Sequence, residues 1–198
     1  MIRIGLTGGI GSGKSEVRRL LADRGAQIFD ADQVAKQLMV SDPDVMEDLK
    51  EILGDRAWHA DGSLNRSWIA GRLFSDVAIR EAVNGIVHPA VYRAFTEAVS
   101  RAEEEGAKAM VREAALLPPP EQREVLDRIV AVTAPQALRI QRVMQRDGST
   151  YAEVESRMAA QPRDTDYAAV ADHVISNGGS LEELAAQVDA LWSAWIPG

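Results

Sequence analysis

The feature that most constrains the fold is a glycine-rich segment near the amino end, GGIGSGKS at residues 8–15. It fits the pattern G-x-x-x-x-G-K-[ST] and follows the apolar residues Ile2, Ile4 and Leu6, which predicts a strand, a tight loop and a helix. Glycines admit backbone conformations that a Cβ would forbid, so successive N–H groups can converge on phosphate oxygens where the helix begins. An incidental glycine-rich turn is the alternative, and the strand-to-helix context disfavours it. The segment therefore predicts a nucleoside-triphosphate site.

Individual residues of this segment have distinct expected roles. Lys14 would contact the β- and γ-phosphates of the nucleotide, and the Ser15 hydroxyl would bind Mg²⁺, so a nucleoside triphosphate and Mg²⁺ are the expected ligands. The expected nucleotide-binding positions are Gly8, Gly9, Gly11, Ser12, Gly13, Lys14, Ser15 and Glu16. The loop alone does not identify the group that accepts the phosphate.

Composition excludes several classes of protein. A chain of 198 residues, 46% of them hydrophobic, is long enough for one α/β domain with insertions. The formal net charge of −8 argues against a general affinity for nucleic acid, so an anionic substrate needs a local cluster of Arg and Lys. The absence of cysteine excludes disulfides and thiolate metal sites. No apolar run is long enough to span a membrane, and the chain leads directly into a strand, so we expect a cytoplasmic protein.

Strand and helix patterns alternate along most of the chain. Besides the first strand, short apolar runs predict strands at residues 28–29, 107–113, 127–133 and 172–176. From about residue 33 to residue 106 the pattern is mostly helical, and we expect His88-Pro89 to interrupt one helix and to begin another. Strands that alternate with helices predict an α/β fold of the P-loop NTPase type, with three layers and a parallel sheet of about five strands.

Carboxylates lie at the ends of two predicted strands. Asp30 and Asp32 come just past the second strand, at the edge where open α/β sheets bind their ligands. A hydroxyl acceptor loses a proton as it attacks the γ-phosphorus, so Asp32 is the candidate base and Asp30 the runner-up. Asp32 could instead, or also, be a helix N-cap. Glu113 ends the third strand, where it could support Mg²⁺ indirectly or pair with Arg112.

Arginines recur along the helix predicted after Pro135. Spacings of three and seven place Arg139, Arg142 and Arg146 near one helix face. One explanation is a solvated surface. The other is a lid whose arginines neutralise the transferring phosphoryl group, and Arg139 is then the first candidate.

Several segments, in order along nearly the whole chain, resemble the dephospho-coenzyme A kinase family. They are GLTGGIGSGKS at 5–15, DAD at 30–32, HP at 88–89, RVMQRD at 142–147, Gln161, AD at 171–172, VI at 174–175 and NG at 177–178. The opening segment is more specific than a bare phosphate-binding loop, and the later motifs distinguish this family from other small kinases. Two departures are Glu16, where the family usually has Thr, and ALLPP at 115–119 in place of P-L-L-[FY]-E.

The resemblance implies a protein of three parts and the last step of coenzyme A synthesis, with Asp32 as the base. We expect one P-loop kinase domain with a core at 1–32, 107–138 and 164–198, a helical acceptor-binding insertion at 33–106, and a lid at 139–163. ATP would phosphorylate the ribose 3′-hydroxyl of dephospho-CoA, with Lys14, Asp32 and Arg139 as catalytic residues. The expected partners are these two substrates, with neither nucleic acid nor membrane, and the expected state is a monomer or weak homo-oligomer.

The residues leave three alternatives open. Another small-molecule or nucleoside monophosphate kinase could share the core, and a panel of acceptors would distinguish it. A nucleotide-operated switch of the GTPase kind would need an N-K-x-D segment, which the sequence lacks. A structural protein with a vestigial loop would fail to bind ATP.

Overall fold

A computed structural model describes residues 1–114 and 123–196, so the departure noted at 115–119 lies outside the described residues. The described elements are, in chain order, β1 Ile2–Thr7, α1 Lys14–Asp23, β2 Gln27–Asp30, α2 Ala31–Ser41, α3 Pro43–Leu53, a 3₁₀ turn Asp55–Ala57, α4 Arg66–Ser75, α5 Val77–Glu104, β3 Ala109–Glu113, β4 Arg128–Thr133, α6 Gln136–Asp147, α7 Tyr151–Ala159, α8 Asp164–Val170, β5 His173–Ser176 and α9 Leu181–Trp195. Among the described helices, none is both long and apolar enough to cross a bilayer.

The five strands form one parallel sheet in the order β2-β3-β1-β4-β5. β1 lies at its centre, where Ile4 is in register with Val111 of β3 and with Arg128 of β4. The inner strands are almost continuously buried, as expected for a parallel sheet that is covered on both faces. The predicted α/β fold with a five-stranded parallel sheet is confirmed.

One large apolar cluster joins the sheet to α1 and α9. Its buried members are Ile4, Leu6, Val17, Leu20, Leu21, Ala26, Ala109, Val111, Val130, Val132, Ile175, Leu184, Val188, Leu191 and Ile196. The apolar residues of both helices recur at helical spacing, so each helix buries one stripe against the sheet. Because α1 is held in this way, the loop that precedes it is fixed at the carboxyl edge of β1.

The chain divides into two compact units. The first comprises the described residues of 1–30 and 99–198 and contains the whole sheet. The second comprises residues 31–98 and is helical, with one isolated bridge between Trp58 and Leu64. In that unit Asp42 caps α3 by accepting hydrogen bonds from the N–H groups of Asp44 and Val45. The functional division into core, insertion at 33–106 and lid at 139–163 stays a prediction.

The prediction that a helix ends at Pro89 is wrong, because α5 is continuous and contains Pro89 in its interior. An internal proline loses one helical hydrogen bond and costs about 3 kcal/mol. The residues on either side bury a continuous apolar stripe, which includes Val83, Val87, Val91 and Phe95, and this burial offsets the cost. The sequence patterns also did not predict α8, because a helix of seven residues is too short to show a clear periodic pattern.

Candidate active site

The glycine-rich loop connects β1 to α1. Gly11 and Gly13 have φ of +75° and +95°, a region in which residues with a Cβ are strained. Side chains also approach the loop closely, since a Cβ on Gly9 would lie 2.1 Å from Arg139 Nη2 and one on Gly13 would lie 1.9 Å from Asn177 Nδ2. Glycine is therefore required for both the turn and the packing around it.

Lys14 and Ser15 begin α1 at the end of this loop. Lys14 Nζ donates hydrogen bonds to the carbonyl oxygens of Gly8 at 2.7 Å and Gly9 at 3.4 Å, so its charge lies directly over the loop. That charge adds to the partial positive charge of the helix N-terminus and favours an anion there. Ser15 is exposed in the first turn, and its hydroxyl is the kind of oxygen ligand that Mg²⁺ prefers.

Glu16 occupies the position where the family usually has Thr. Its carboxylate pairs with Arg19 of the same helix at 2.6 Å, and this hydrogen bond lowers the pKa of Glu16. The pairing holds the negative charge along α1. In the structure the Glu16 side chain therefore contacts another residue of α1. The assignment of Glu16 to nucleotide binding stays a prediction.

Both backbone polar groups of Ile10 are bonded to side chains from outside the loop. Arg139 Nε of α6 donates to the Ile10 carbonyl oxygen at 2.9 Å, and Gln161 Oε1, between α7 and α8, accepts from the Ile10 N–H at 2.8 Å. Arg139 is only 5% exposed, and its Nη1 also pairs with Asp164 at the start of α8. These contacts fix the loop to α6 and α8.

Arg142 and Asn177 lie on another side of the loop. Asn177 Nδ2 donates to the Ser12 carbonyl oxygen at 2.8 Å, and its Oδ1 accepts from Arg142 Nη2 at 3.4 Å. Within residues 1–114 and 123–196, Arg142 Nη1 is buried without a hydrogen bond, as are the hydroxyls of Thr7 and Ser12. Each such group costs about 1–3 kcal/mol until it gains a partner. Phosphate oxygens would supply these partners, so the site fits the phosphates of a nucleotide.

The third arginine of the predicted face behaves differently. Arg146 is largely exposed and pairs with Asp147 at 2.6 Å, which raises the pKa of Arg146. Of these three arginines, Arg139 and Arg142 therefore lie against the loop, whereas the Arg146 guanidinium lies at the surface.

Two strand-end carboxylates share one cation. Asp30 of β2 and Glu113 of β3 are in register, and each lies 2.9 Å from Arg18 Nη1 of α1. Arg18 therefore balances negative charge at two neighbouring strand ends. Asp30, the runner-up for the base, is ion-paired in this structure.

Asp32 lies in the helical unit. It is the second residue of α2, so the alternative that Asp32 is the N-cap of this helix is wrong. Its side chain is exposed. Its role as the base stays a prediction.

Sequence reasoning missed several of the residues that contact the loop. Gln161 and Asn177 entered only as family motifs, and Asp164 was not considered. Asn177 directly follows β5 at the carboxyl edge of the sheet, so the rule that drew attention to Asp30 could have identified it. No sequence signal brings Asp164 to Arg139, because that contact depends on how α6 and α8 pack.

Comparisons with known proteins identify the family. The family model for dephospho-CoA kinase matches residues 2–183. A dephospho-CoA kinase from Salinibacter ruber is 42% identical over 184 residues, which cover 93% of this chain and 92% of that protein. A crystal structure of a Thermus thermophilus protein matches with a TM-score of 0.83 at 34% identity, and the match covers 98% of this chain and 97% of that one. A shikimate kinase from Acinetobacter baumannii shares the fold alone, with a TM-score of 0.56 at 20% identity over 98% of this chain and 94% of that one. The resemblance seen in the motifs is thereby confirmed, and this chain belongs to the dephospho-CoA kinase family.

Proposed function

We propose that this chain transfers the γ-phosphoryl group of ATP to the ribose 3′-hydroxyl of dephospho-CoA, giving CoA and ADP as the last step of coenzyme A synthesis. The match of the family model over residues 2–183 carries this proposal. The phosphate-binding character of the loop supports it independently, because a transferase of this kind contributes mainly positioning and charge.

The nucleotide phosphates would bind at the loop between β1 and α1. Lys14 and Arg142 supply positive charge, and the hydroxyls of Thr7 and Ser12 supply hydrogen bonds that the described protein atoms leave unmade. Bound Mg²⁺ would neutralise charge on the β- and γ-phosphates, with the Ser15 hydroxyl as its protein ligand. Arg142 belongs to this proposed site because its Nη1 is buried without a hydrogen bond among the described atoms.

Asp32 would accept the proton of the ribose hydroxyl. As the hydroxyl oxygen bonds to the γ-phosphorus, its proton passes to the Asp32 carboxylate, and the bond between that phosphorus and the bridging oxygen of ADP breaks. The Asp30 carboxylate is engaged by Arg18 at 2.9 Å, whereas Asp32 is exposed. This difference supports Asp32 over Asp30 as the base.

Arg139 would assist the transfer from its place against the loop. Its guanidinium holds the Ile10 carbonyl oxygen and pairs with Asp164, so its charge is fixed rather than free in solvent. A cation held beside the phosphates stabilises the charge of the transferring group without reorganising during the reaction. We therefore propose that Arg139 acts on catalysis through this fixed charge.

The acceptor would bind through the helical unit. The chain is acidic overall, with a net charge of −8, so the pyrophosphate of dephospho-CoA needs local cations. Lys36, Arg72, Arg80 and Arg93 are exposed in this unit and are the candidates. The cytoplasmic location and the monomeric or weakly oligomeric state stay predictions.

An acceptor panel tests the proposal. ADP release is measured in a coupled assay with dephospho-CoA, adenosine, AMP, shikimate and gluconate at equal concentrations. We expect dephospho-CoA to have the highest kcat/KM. A higher value with AMP or a sugar acid would exclude the coenzyme A assignment and leave a P-loop kinase of another specificity.

A further inference from the structure

The side chain of Asn177 connects the phosphate loop with the end of the sheet. Asn177 follows β5 and is 5% exposed. Its backbone N–H donates to the Thr133 carbonyl oxygen at 2.7 Å, which fixes it to the end of β4. From this fixed position Nδ2 donates to the Ser12 carbonyl oxygen at 2.8 Å. The sheet thereby holds one particular peptide group of the loop.

That peptide group determines where the Gly13 N–H points. In a planar trans peptide the carbonyl oxygen of Ser12 and the N–H of Gly13 lie on opposite sides of the chain. A hydrogen bond that holds the oxygen toward Asn177 therefore turns the Gly13 N–H away from Asn177. Gly13 is the N-cap of α1, where outward N–H groups bind anions.

The other end of the same amide contacts Arg142. Asn177 Oδ1 accepts from Arg142 Nη2 at 3.4 Å, while Arg142 Nη1 is buried without a hydrogen bond in the part of the chain that the structure describes. An amide oxygen is neutral, so this contact orients the guanidinium without compensating its charge. The charge remains for an anionic ligand.

We propose that Asn177 is a positioning residue that orients two phosphate-binding groups at once, the Gly13 N–H through the Ser12 carbonyl and the guanidinium of Arg142. Asn177 acts through these groups. The inference rests on the proposed function in one respect, namely that the ligand of the loop is ATP.

Two substitutions at Asn177 change its two contacts in different ways. Asn177→Asp has nearly the same shape, but it removes the donor to Ser12 and places a negative charge beside Arg142. Asn177→Leu removes both contacts without adding charge. Each should raise the Kd for MgATP about tenfold or more, because a misplaced hydrogen bond to a charged ligand costs at least about 1.4 kcal/mol. Asn177→Asp should also lower kcat about tenfold further than Asn177→Leu, because the new carboxylate would compete with the phosphate oxygens for the Arg142 guanidinium.

Gln187→Glu is the matched control. The Gln187 side-chain amide bonds to both backbone polar groups of Ser176, the residue that precedes Asn177, at 2.9 and 3.0 Å. Among the described contacts, those of its side chain are with Ser176 and Glu183, so Gln187→Glu makes the same change from amide to carboxylate at a side chain that bonds to the neighbour of Asn177. We expect its Kd and kcat to stay within about twofold of the parent.

Calorimetric titration with MgATP, steady-state kinetics and melting temperatures decide the outcome. Failure of the parent to bind MgATP would contradict the proposed function itself. A parent that binds, with both Asn177 variants folded and binding equally well, would overturn the positioning role. Equal kcat in the two variants would also count against it, because the contact with Arg142 would then be irrelevant. If only one variant folds, its Kd decides, and if neither folds, Asn177 is structural and the inference is wrong.

Discussion

The two edges of the parallel sheet use similar polar side chains in different ways. At the amino edge, Asp127 accepts three hydrogen bonds from Arg3, at 2.7, 2.8 and 3.0 Å, and Asp172 accepts one from the Ile129 N–H at 2.7 Å. At the carboxyl edge, side chains also hold backbone groups of the loop. Yet in the described part of the chain the hydroxyls of Thr7 and Ser12 are buried there without hydrogen bonds.

This difference distinguishes polar groups that stabilise the fold from those prepared for a ligand. The aspartates at the amino edge satisfy backbone N–H groups within the protein, so their contribution is to stability. Buried groups at the carboxyl edge that lack a partner cost stability, and a phosphate ligand would recover that cost. Substitutions at the carboxyl edge should therefore change activity more than stability, and those at the amino edge should do the reverse.

Lys14→Ala should have the largest effect on activity. We expect turnover to fall on the order of 10⁴-fold or more, because the charge over the loop is lost where the phosphates would bind. The melting temperature should change little, since the hydrogen bonds from Lys14 Nζ to the Gly8 and Gly9 carbonyl oxygens stay within the same short loop. The exposed Lys108 provides the control, and Lys108→Ala should retain activity. Near-normal turnover in Lys14→Ala would show that the loop is not the site of transfer.

Asp32→Asn tests the acceptor side of the reaction. Loss of the base should lower kcat by roughly 10²–10⁴-fold and leave the affinity for ATP almost unchanged, because the residue is proposed to contact the acceptor hydroxyl. Asp30→Asn should lower kcat less, since Asp30 is paired with Arg18. Measured kcat values in the reverse order would transfer the role of the base to Asp30.

Arg139→Ala should have an intermediate effect on activity. It should also lower stability, although Arg139 lies at the carboxyl edge. We expect kcat to fall about 10²-fold because a fixed charge beside the phosphates is lost. Stability should fall as well, since the Ile10 carbonyl and Asp164 both lose a partner. Arg146→Ala is the control on the same helix, because that guanidinium is exposed. Unchanged kcat in Arg139→Ala would restrict Arg139 to a structural role.

The sequence predicted the parts of the molecule that depend on local patterns. The strands and the glycine-rich loop between β1 and α1 follow from short runs of residues, and the structure confirms that they form. The error at Pro89 came from a local rule that tertiary packing overrides. No break occurs there, because burial of apolar residues on both sides of Pro89 offsets the free-energy cost of the internal proline.

Contacts around the loop were less predictable because they join residues far apart in the chain. Gln161 lies 151 residues from Ile10, and Asn177 lies 165 residues from Ser12. A single sequence does not specify which distant side chain will meet a given carbonyl group. The sequence could place Arg139 and Arg142 on one helix face. It could not show that Arg139 pairs with Asp164, or that Arg142 Nη1 has no hydrogen bond among the described atoms.

Asp127→Asn, at the amino edge, should have the smallest effect on activity and a measurable effect on stability. The hydrogen bonds from Arg3 lower the pKa of Asp127 in the folded protein. A lowered folded-state pKa means that the stabilisation is fully present above the unfolded-state pKa and is lost as pH falls through the folded-state value. Because both side chains are about one-third exposed, with 33% for Arg3 and 35% for Asp127, we expect only about 1 kcal/mol at pH 7.

Urea unfolding of the parent and of Asp127→Asn at several pH values measures this stabilisation by the pair of Arg3 and Asp127. The difference in unfolding free energy should be largest near pH 7 and should shrink below about pH 4, where the carboxylate of the parent is progressively protonated. Asp189→Asn is the control, since Asp189 pairs with Arg24 at 2.6 Å but is 64% exposed, and exposed pairs contribute little. kcat should stay within about twofold of the parent in both variants, because neither aspartate lies near the loop. A difference that does not change with pH, or a large loss of kcat in Asp127→Asn, would contradict the separation between a stabilising amino edge and a ligand-binding carboxyl edge.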